Sequence, residues 1–379
     1  MIQLDCLTKT FDTSKGLVTA ADNICLEVPS GEICILLGPS GCGKTTTLKM
    51  INRIIEPTSG KVLINGQDTS GLNTQELRRN IGYVIQQIGL FPNMTVEENI
   101  CLLPKLLGWD VKRYRERARE LLDMVALDPN LFLKRYPYEL SGGQQQRIGV
   151  ARALAADPPL MLMDEPFGAI DPINRALIQD EFLRMQQALN KTILFVSHDI
   201  DEAVKMGDRI AIFRDGRLVQ CSIPDDLLAA PENAFVESFL GSDRALKRLN
   251  LVRVSQVMLA NTPVLFQHDS LERALGVMDE HSYIAMTLVN SAHQPIGMVL
   301  RSTAVAKRGR CGDHYLGLDA VVHVNDDLRK VASLMFAHDT TWMPCVDDDG
   351  RFCGEITQKG ITHHLGARYR NRPEVTICA

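Results

Sequence analysis

The chain has 379 residues, 45% of them hydrophobic and 23% charged, with a formal net charge of −5. That balance fits a globular protein with room for two or three domains, and it lacks the basic stripe of a nucleic-acid binder. No apolar run approaches the ~20 residues of a membrane-spanning helix. The opening Met1-Ile2-Gln3-Leu4-Asp5 has no basic stretch leading into an apolar core, and the ten cysteines form no CxxC pair, which points to reduced thiols rather than zinc or a disulfide framework.

Short apolar strands alternate with helical stretches in the front part, the pattern of an α/β fold. Gly31-Glu32-Ile33-Cys34-Ile35-Leu36-Leu37 predicts a buried strand, and a helix is expected from about Lys44 to Ile54. The turn between them, Gly38-Pro39-Ser40-Gly41-Cys42-Gly43-Lys44-Thr45, fits G-x-x-x-x-G-K-[ST]. Its glycines let backbone N–H groups turn toward phosphate oxygens, and the helix start adds its positive dipole end. Lys44 would hold the β- and γ-phosphates of ATP and Thr45 would ligate Mg²⁺, with Thr46 completing the ATP-binding stretch.

A helix-rich insert is expected over about residues 90–157. Thr95 with Glu98 forms a capping box there. Val111, Tyr114, Ala118, Leu121, Leu122 and Val125 share one helical face. Next comes a strand, Leu160-Met161-Leu162-Met163, ending in Asp164-Glu165. Four apolar residues followed by two acids suit a central strand that delivers carboxylates to the phosphate site. Asp164 would reach Mg²⁺, and Glu165 would polarise the attacking water as general base. Further strands are expected at Thr192–Val196 and Arg209–Phe213.

After Gly241 the chain repeats itself at an offset of about 57 residues. Val264 matches Val321, Leu271 matches Leu328, Met278 matches Met335, His281 matches His338, Val289 matches Val346, and Gly297 matches Gly354. Each copy reads strand, helix, strand, turn, strand, helix. The end, Arg368-Tyr369-Arg370-Asn371-Arg372-Pro373, reads as a disordered or surface tail.

At Leu140-Ser141-Gly142-Gly143-Gln144-Gln145-Gln146-Arg147 the sequence resembles the signature of the ATP-binding-cassette (ABC) family. The resemblance implies that Ser141, Gly142, Gly143 and Gln144 cap the ATP held by the other subunit of a head-to-tail homodimer. Gln86 resembles the family's glutamine that senses Mg²⁺ and the attacking water, with Gln87 a rival for the role. His198, in Ser197-His198-Asp199, resembles the histidine on the γ-phosphate. Asp171 resembles a dimer-contact residue, although Gly168 stands where that loop usually starts with serine. Phe11 resembles the aromatic that stacks on adenine; a place in the core is the alternative.

Two stretches, Met50-Ile51-Asn52-Arg53-Ile54-Ile55-Glu56-Pro57 and Asp164 through Arg175, resemble those of quaternary-amine (glycine betaine, choline, carnitine) importers. The C-terminal repeat resembles a tandem CBS pair. The implied architecture is α/β: an ABC-type P-loop ATPase domain, with mixed sheet and helical subdomain, over 1–240, then a linker over 241–251. A smaller α+β CBS pair follows over 252–310 and 311–367, with a tail over 368–379. The implied cofactors are ATP and Mg²⁺. The implied partners are a second ATPase subunit, integral-membrane permeases and an extracytoplasmic substrate-binding protein, and the implied place is the cytoplasmic face of the bacterial inner membrane, peripherally bound.

Both CBS-like copies lack the aspartate that holds ribose in nucleotide-binding members. The first reads Gly297-Met298-Val299-Leu300-Arg301-Ser302-Thr303 and the second Gly354-Glu355-Ile356-Thr357-Gln358-Lys359-Gly360. Three roles therefore stay open: dimerisation or spacing, adenosine-nucleotide sensing, and sensing of ionic strength or anionic lipid through Lys307, Arg308, Arg310, Arg368, Arg370 and Arg372. The rival functions are an importer ATPase for another small solute and a soluble ABC protein of translation or DNA repair. The single cassette and the lack of long heptads count against the second rival.

Overall fold

The computed structural model describes residues 2–14, 16–85, 89–168 and 170–370, without the side chains at 172–174 and 368–370. The chain divides into two compact units, Met1–Leu227 with Pro231–Gly241, and Leu228–Ala230 with Ser242–Ala379.

The first unit opens with two long antiparallel strands, β1 (Ile2–Thr13) and β2 (Gly16–Val28). Then come β3 (Ile33–Leu37), α1 (Lys44–Ile51), β4 (Ser59–Ile64), β5 (Gln67–Asp68), α2 (Thr74–Arg79) and β6 (Ile81–Val84). The helical insert holds α3 (Val96–Leu106), α4 (Val111–Met124), α5 (Pro129–Phe132) and α6 (Gly142–Leu154). The chain returns through β7 (Leu160–Asp164), α7 (Pro172–Leu189), β8 (Thr192–Val196), α8 (Ile200–Met206), β9 (Arg209–Arg214) and β10 (Arg217–Ser222), followed by α9 (Pro224–Ala229) and α10 (Ala234–Leu240).

Two sheets result. One runs β2-β1-β4-β5, and the other β10-β9-β3-β8-β7-β6, with β9, β3, β8, β7 and β6 parallel and β10 antiparallel at the edge. All five residues of β3, β7 and β8 are buried, which is why these strands read as unbroken apolar runs rather than alternating ones. A single core joins the sheets, with Leu4, Leu7 and Ile24 from one and Leu36, Leu162, Leu194 and Phe213 from the other. The burial of each such side chain contributes about 1.5–3 kcal/mol.

The Thr95–Glu98 capping box is formed. The Thr95 N–H donates to Glu98 Oε2 at 2.7 Å, and the Glu98 N–H donates to Thr95 Oγ1 at 3.3 Å. On α4, Ala118, Leu121 and Leu122 are buried, but Val111 at its start is exposed. Helix α1 is shorter than expected. Asn52 closes it, Arg53 turns to φ 48°, and the Arg53 guanidinium donates to Thr69 O and Leu72 O, both at 2.9 Å.

The second unit contains α11 (Arg244–Arg248), β11 (Leu259–Ala260), β12 (Leu265–Phe266), α12 (Leu271–His281), β13 (Ala285–Val289), β14 (Pro295–Leu300) and α13 (Arg301–Ala306). It ends with β15 (Val322–His323), α14 (Leu328–Ala337), β16 (Trp342–Val346), β17 (Phe352–Thr357) and α15 (Gln358–Arg370). The repeat is exact in register. Leu265 pairs with Leu288 in the first copy and Val322 with Cys345 in the second, each partner moved by 57 positions. Each copy has its own core, around Met278, Leu288 and Val299 in the first and around Met335, Cys345 and Ile356 in the second. The copies are linked through Thr287, whose buried hydroxyl donates to Glu355 Oε1 at 2.8 Å.

Two boundaries differ from expectation. The segment expected as a linker, 241–251, contains α11, and its Leu249 packs into the second copy's core. Arg248 in that segment is 1% exposed and donates to Leu365 O at 3.0 Å. The tail expected from 368 begins inside α15, which runs to Arg370.

Candidate active site

The phosphate-loop turn leaves β3 and enters α1 with its backbone in conformations that only glycine takes without strain. Gly38 has φ 151°, and a Cβ there would meet Phe213 O at 2.3 Å. Gly43 caps α1 at φ 100°, and a Cβ there would meet Ala20 O at 2.2 Å. The loop is therefore held open by neighbouring backbone as well as by its own turn.

A cleft of about 520 Å³ lies over the loop, lined by Ser40 to Thr46 together with Glu165, Val196 and His198. Lys44 is 8% exposed and folds back on the loop, where its ammonium donates to Gly38 O at 2.7 Å and Pro39 O at 2.9 Å. The Thr45 hydroxyl donates to Asp164 Oδ1 at 3.1 Å across 119 residues of sequence. Asp164 is buried at the end of β7. Burial raises its carboxyl above the usual range, the bond from Thr45 works against that rise, and the neighbouring Glu165 adds to it. A hydroxyl and a buried carboxylate that disfavours its lone charge form a hard-oxygen pair suited to a divalent cation.

Glu165 follows at φ 48°, a left-handed conformation that is uncommon for glutamate. Its N–H donates to Val196 O at 3.0 Å, and its carbonyl accepts from Gly168 N at 3.2 Å and Gln146 Nε2 at 3.1 Å. These bonds turn the side chain toward the cleft, where Glu165 Oε1 lies 3.4 Å from His198 Nδ1. The turn that carries His198 is braced from below. Glu202 is buried, accepts from Gln179 Nε2 at 3.0 Å and bonds the Ser197 hydroxyl, which itself accepts from the Asp199 N–H at 3.0 Å. Burial raises the Glu202 carboxyl, and the Ser197 and Gln179 bonds oppose that rise.

The signature residues lie elsewhere. Ser141 caps α6 in a box with Gln144: Ser141 Oγ accepts the Gln144 N–H at 3.3 Å, and Gln144 Oε1 accepts the Ser141 N–H at 3.0 Å. Ser141 and Gly142 are exposed, and neither lines the cleft of its own chain. Asp171 is exposed beside α7, where its carbonyl accepts the Arg175 N–H at 2.9 Å. Phe11 sits half-buried on β1 with the Lys9 ammonium 5.1 Å from its ring centre; it belongs neither to the main core nor to the cleft lining. Gln86 and its rival Gln87 lie outside the described residues.

Sequence reasoning thus named Lys44, Thr45, Glu165 and His198 of the cleft lining, and Asp164, which bonds Thr45 beside it. It missed Val196 and the buried glutamines and acid behind them, Gln146, Gln179 and Glu202. Their signal is weak: each is a polar residue on the inward face of a helix, visible only once that face is known.

A strand, a phosphate-binding turn and a carboxylate-ended strand two places along the same sheet, with a helical insert between them, define a P-loop ATPase of the ABC class. A family model described as ABC transporter matches residues 21–168, and one described as CBS domain matches residues 319–367. The chain belongs to the ATP-binding proteins of ABC transporters. It is 56% identical to the osmoprotectant import ATP-binding protein OsmV of Salmonella typhimurium, over 97% of both chains. It is 45% identical to the glycine betaine/carnitine/choline transport ATP-binding protein OpuCA of Bacillus subtilis, over 95% of both. The dimeric ATP-binding cassette MJ0796, solved in a post-hydrolysis state with ADP and Pi, is similar to 59% of this chain and 98% of its own, at 36% identity and a TM-score of 0.55.

Proposed function

We propose that the chain hydrolyses ATP to drive import of a quaternary-amine osmoprotectant, with two copies docked on partner permeases. The observation that carries this reading is the convergence of Lys44, Thr45, Glu165 and His198 on one cleft while Ser141 and Gly142 stand exposed outside it. Each chain then offers half of two composite sites. Lys44 exchanges its loop carbonyls for β- and γ-phosphate oxygens, and the loop amides and the α1 dipole stabilise their charge. Thr45 and Asp164 would hold Mg²⁺, which neutralises phosphate charge when bound. Glu165 takes the proton of the attacking water and His198 steadies the γ-phosphate. Ser141, Gly142, Gly143 and Gln144 close over the ATP of the opposite copy, Asp171 meets the partner near the shared boundary, and Phe11 stacks on adenine.

Gly142 supports the capping role. A Cβ placed there meets none of the described residues within 4 Å, so their packing does not call for glycine at that exposed helix start. No helix among the described residues is long and apolar enough to cross a membrane, and a peripheral place on the cytoplasmic face, beneath permeases and an extracytoplasmic binding protein, follows from the import reading. The names of OsmV and OpuCA point the cargo toward osmoprotectants. Uptake of labelled glycine betaine, choline and carnitine by the reconstituted transporter, with and without a salt upshift, tests this. ATP-dependent uptake of at least one is expected, and no uptake of any would overturn the cargo while leaving the ATPase intact.

A further inference from the structure

The first turns of helix α6 present two faces, one exposed and one buried. Its exposed start carries Ser141 and Gly142. Gln146 lies four residues after Gly142, about 6 Å along the axis, and is 4% exposed on the inward side. Its Nε2 donates to the carbonyl of Glu165 at 3.1 Å. Its Oε1 is buried and accepts no hydrogen bond from the described residues, so the amide is anchored through its bond to the Glu165 carbonyl. Beside it, Arg147 Nη1 donates to Val125 O at 3.2 Å and Ala126 O at 3.1 Å, tying the same turn to the end of α4. Glu165 itself keeps its left-handed backbone through three bonds, one of which comes from α6.

We propose that Gln146 is a positioning residue through which ATP capped by the start of α6, in the opposite subunit's loop, sets Glu165 of its own subunit. The inference rests on the two-copy reading above. A short helix moves as a rigid rod, so a shift of its start on closing over nucleotide displaces Gln146. The Glu165 carbonyl follows, and with it the direction of the carboxylate that faces the water. Each site then fires only when the other is filled. No contact between the two ATP molecules is needed, because the link runs within one chain from capping loop to base.

The test is the ATP dependence of hydrolysis by the reconstituted transporter. Wild type is expected to be sigmoidal, with a Hill coefficient above about 1.5. Gln146→Glu keeps the shape and loses the donor when ionised; Gln146→Met keeps length and bulk without any donor. Both are expected to give hyperbolic curves, kcat lowered about tenfold and half-saturating ATP within about twofold of wild type. Melting curves identify any variant that fails to fold, and the other then carries the test. Sigmoidal curves in the folded variants overturn the inference, whatever their kcat, because a purely structural role lowers rate without touching cooperativity. A hyperbolic wild type also overturns it; if Glu165→Gln chains then stay monomeric in ATP, the two-copy reading falls as well.

Discussion

Lys44 spends its ammonium on two carbonyls of its own loop, at 2.7 and 2.9 Å, a pair of bonds that a phosphate oxygen would outcompete by adding charge to charge. Gly142 poses the opposite case, a residue with no internal partner to explain it. A methyl added there meets none of the described residues within 4 Å, and alanine is a better helix former than glycine, by up to about 1 kcal/mol in a helix interior. Gly142→Ala is therefore expected to leave the melting temperature equal or slightly higher while lowering ATPase activity at least tenfold. Equal activity would remove the capping role. The phosphate loop, the carboxylate pair and the signature were legible in sequence because each is a contiguous run whose chemistry is local. Gln146, Gln179 and Glu202 were not, because the Gln146–Glu165 and Gln179–Glu202 bonds span 19 and 23 residues and depend on which helical face turns inward.

Strands β3, β7 and β8 were legible for the same kind of reason: five buried residues in a row leave no other reading for a short run bounded by turns. The end of α1 was not. No glycine or proline marks it at Asn52, and the bonds of Arg53 to Thr69 and Leu72 come from distant backbone. Segment 241–251 misled because Arg248, the most buried of its charges, looks like a solvated residue until its contact with Leu365 is seen. The link between β13 and β17 carries a prediction. Burial raises the Glu355 carboxyl above its usual range and the Thr287 bond opposes that rise, so the folded state binds a proton more readily than the unfolded chain. Stability contributed by that proton is present at low pH and is lost as pH rises through the folded-state value. Glu355→Gln, which can still accept from Thr287, is expected to melt like wild type near pH 4 and at a higher temperature near pH 8. A variant less stable at pH 8 would mean that the charge itself is stabilising.

Across the whole molecule, the repeat preserves register through sheet and helix alike, which made its existence plain from spacing alone. Its ligand was not legible, because both copies lack the aspartate that the resemblance associates with ribose. Of the basic residues considered for lipid, Arg308 is committed to Glu272 at 3.1 Å. In the proposed reading the cleft of the first unit holds the base and the phosphate loop, while Ser141 and Gly142, the residues that would cap ATP, stand exposed outside it, so turnover would require a second copy. The direct measurement is Glu165→Gln in full-length chains with ATP and Mg²⁺, followed by size-exclusion chromatography and phosphate release. Turnover is expected to fall at least a hundredfold, about 2.7 kcal/mol of lost transition-state stabilisation, while a stable dimer forms that retains two ATP molecules. A variant that hydrolyses ATP at the wild-type rate, or that binds ATP and stays monomeric, would contradict the account.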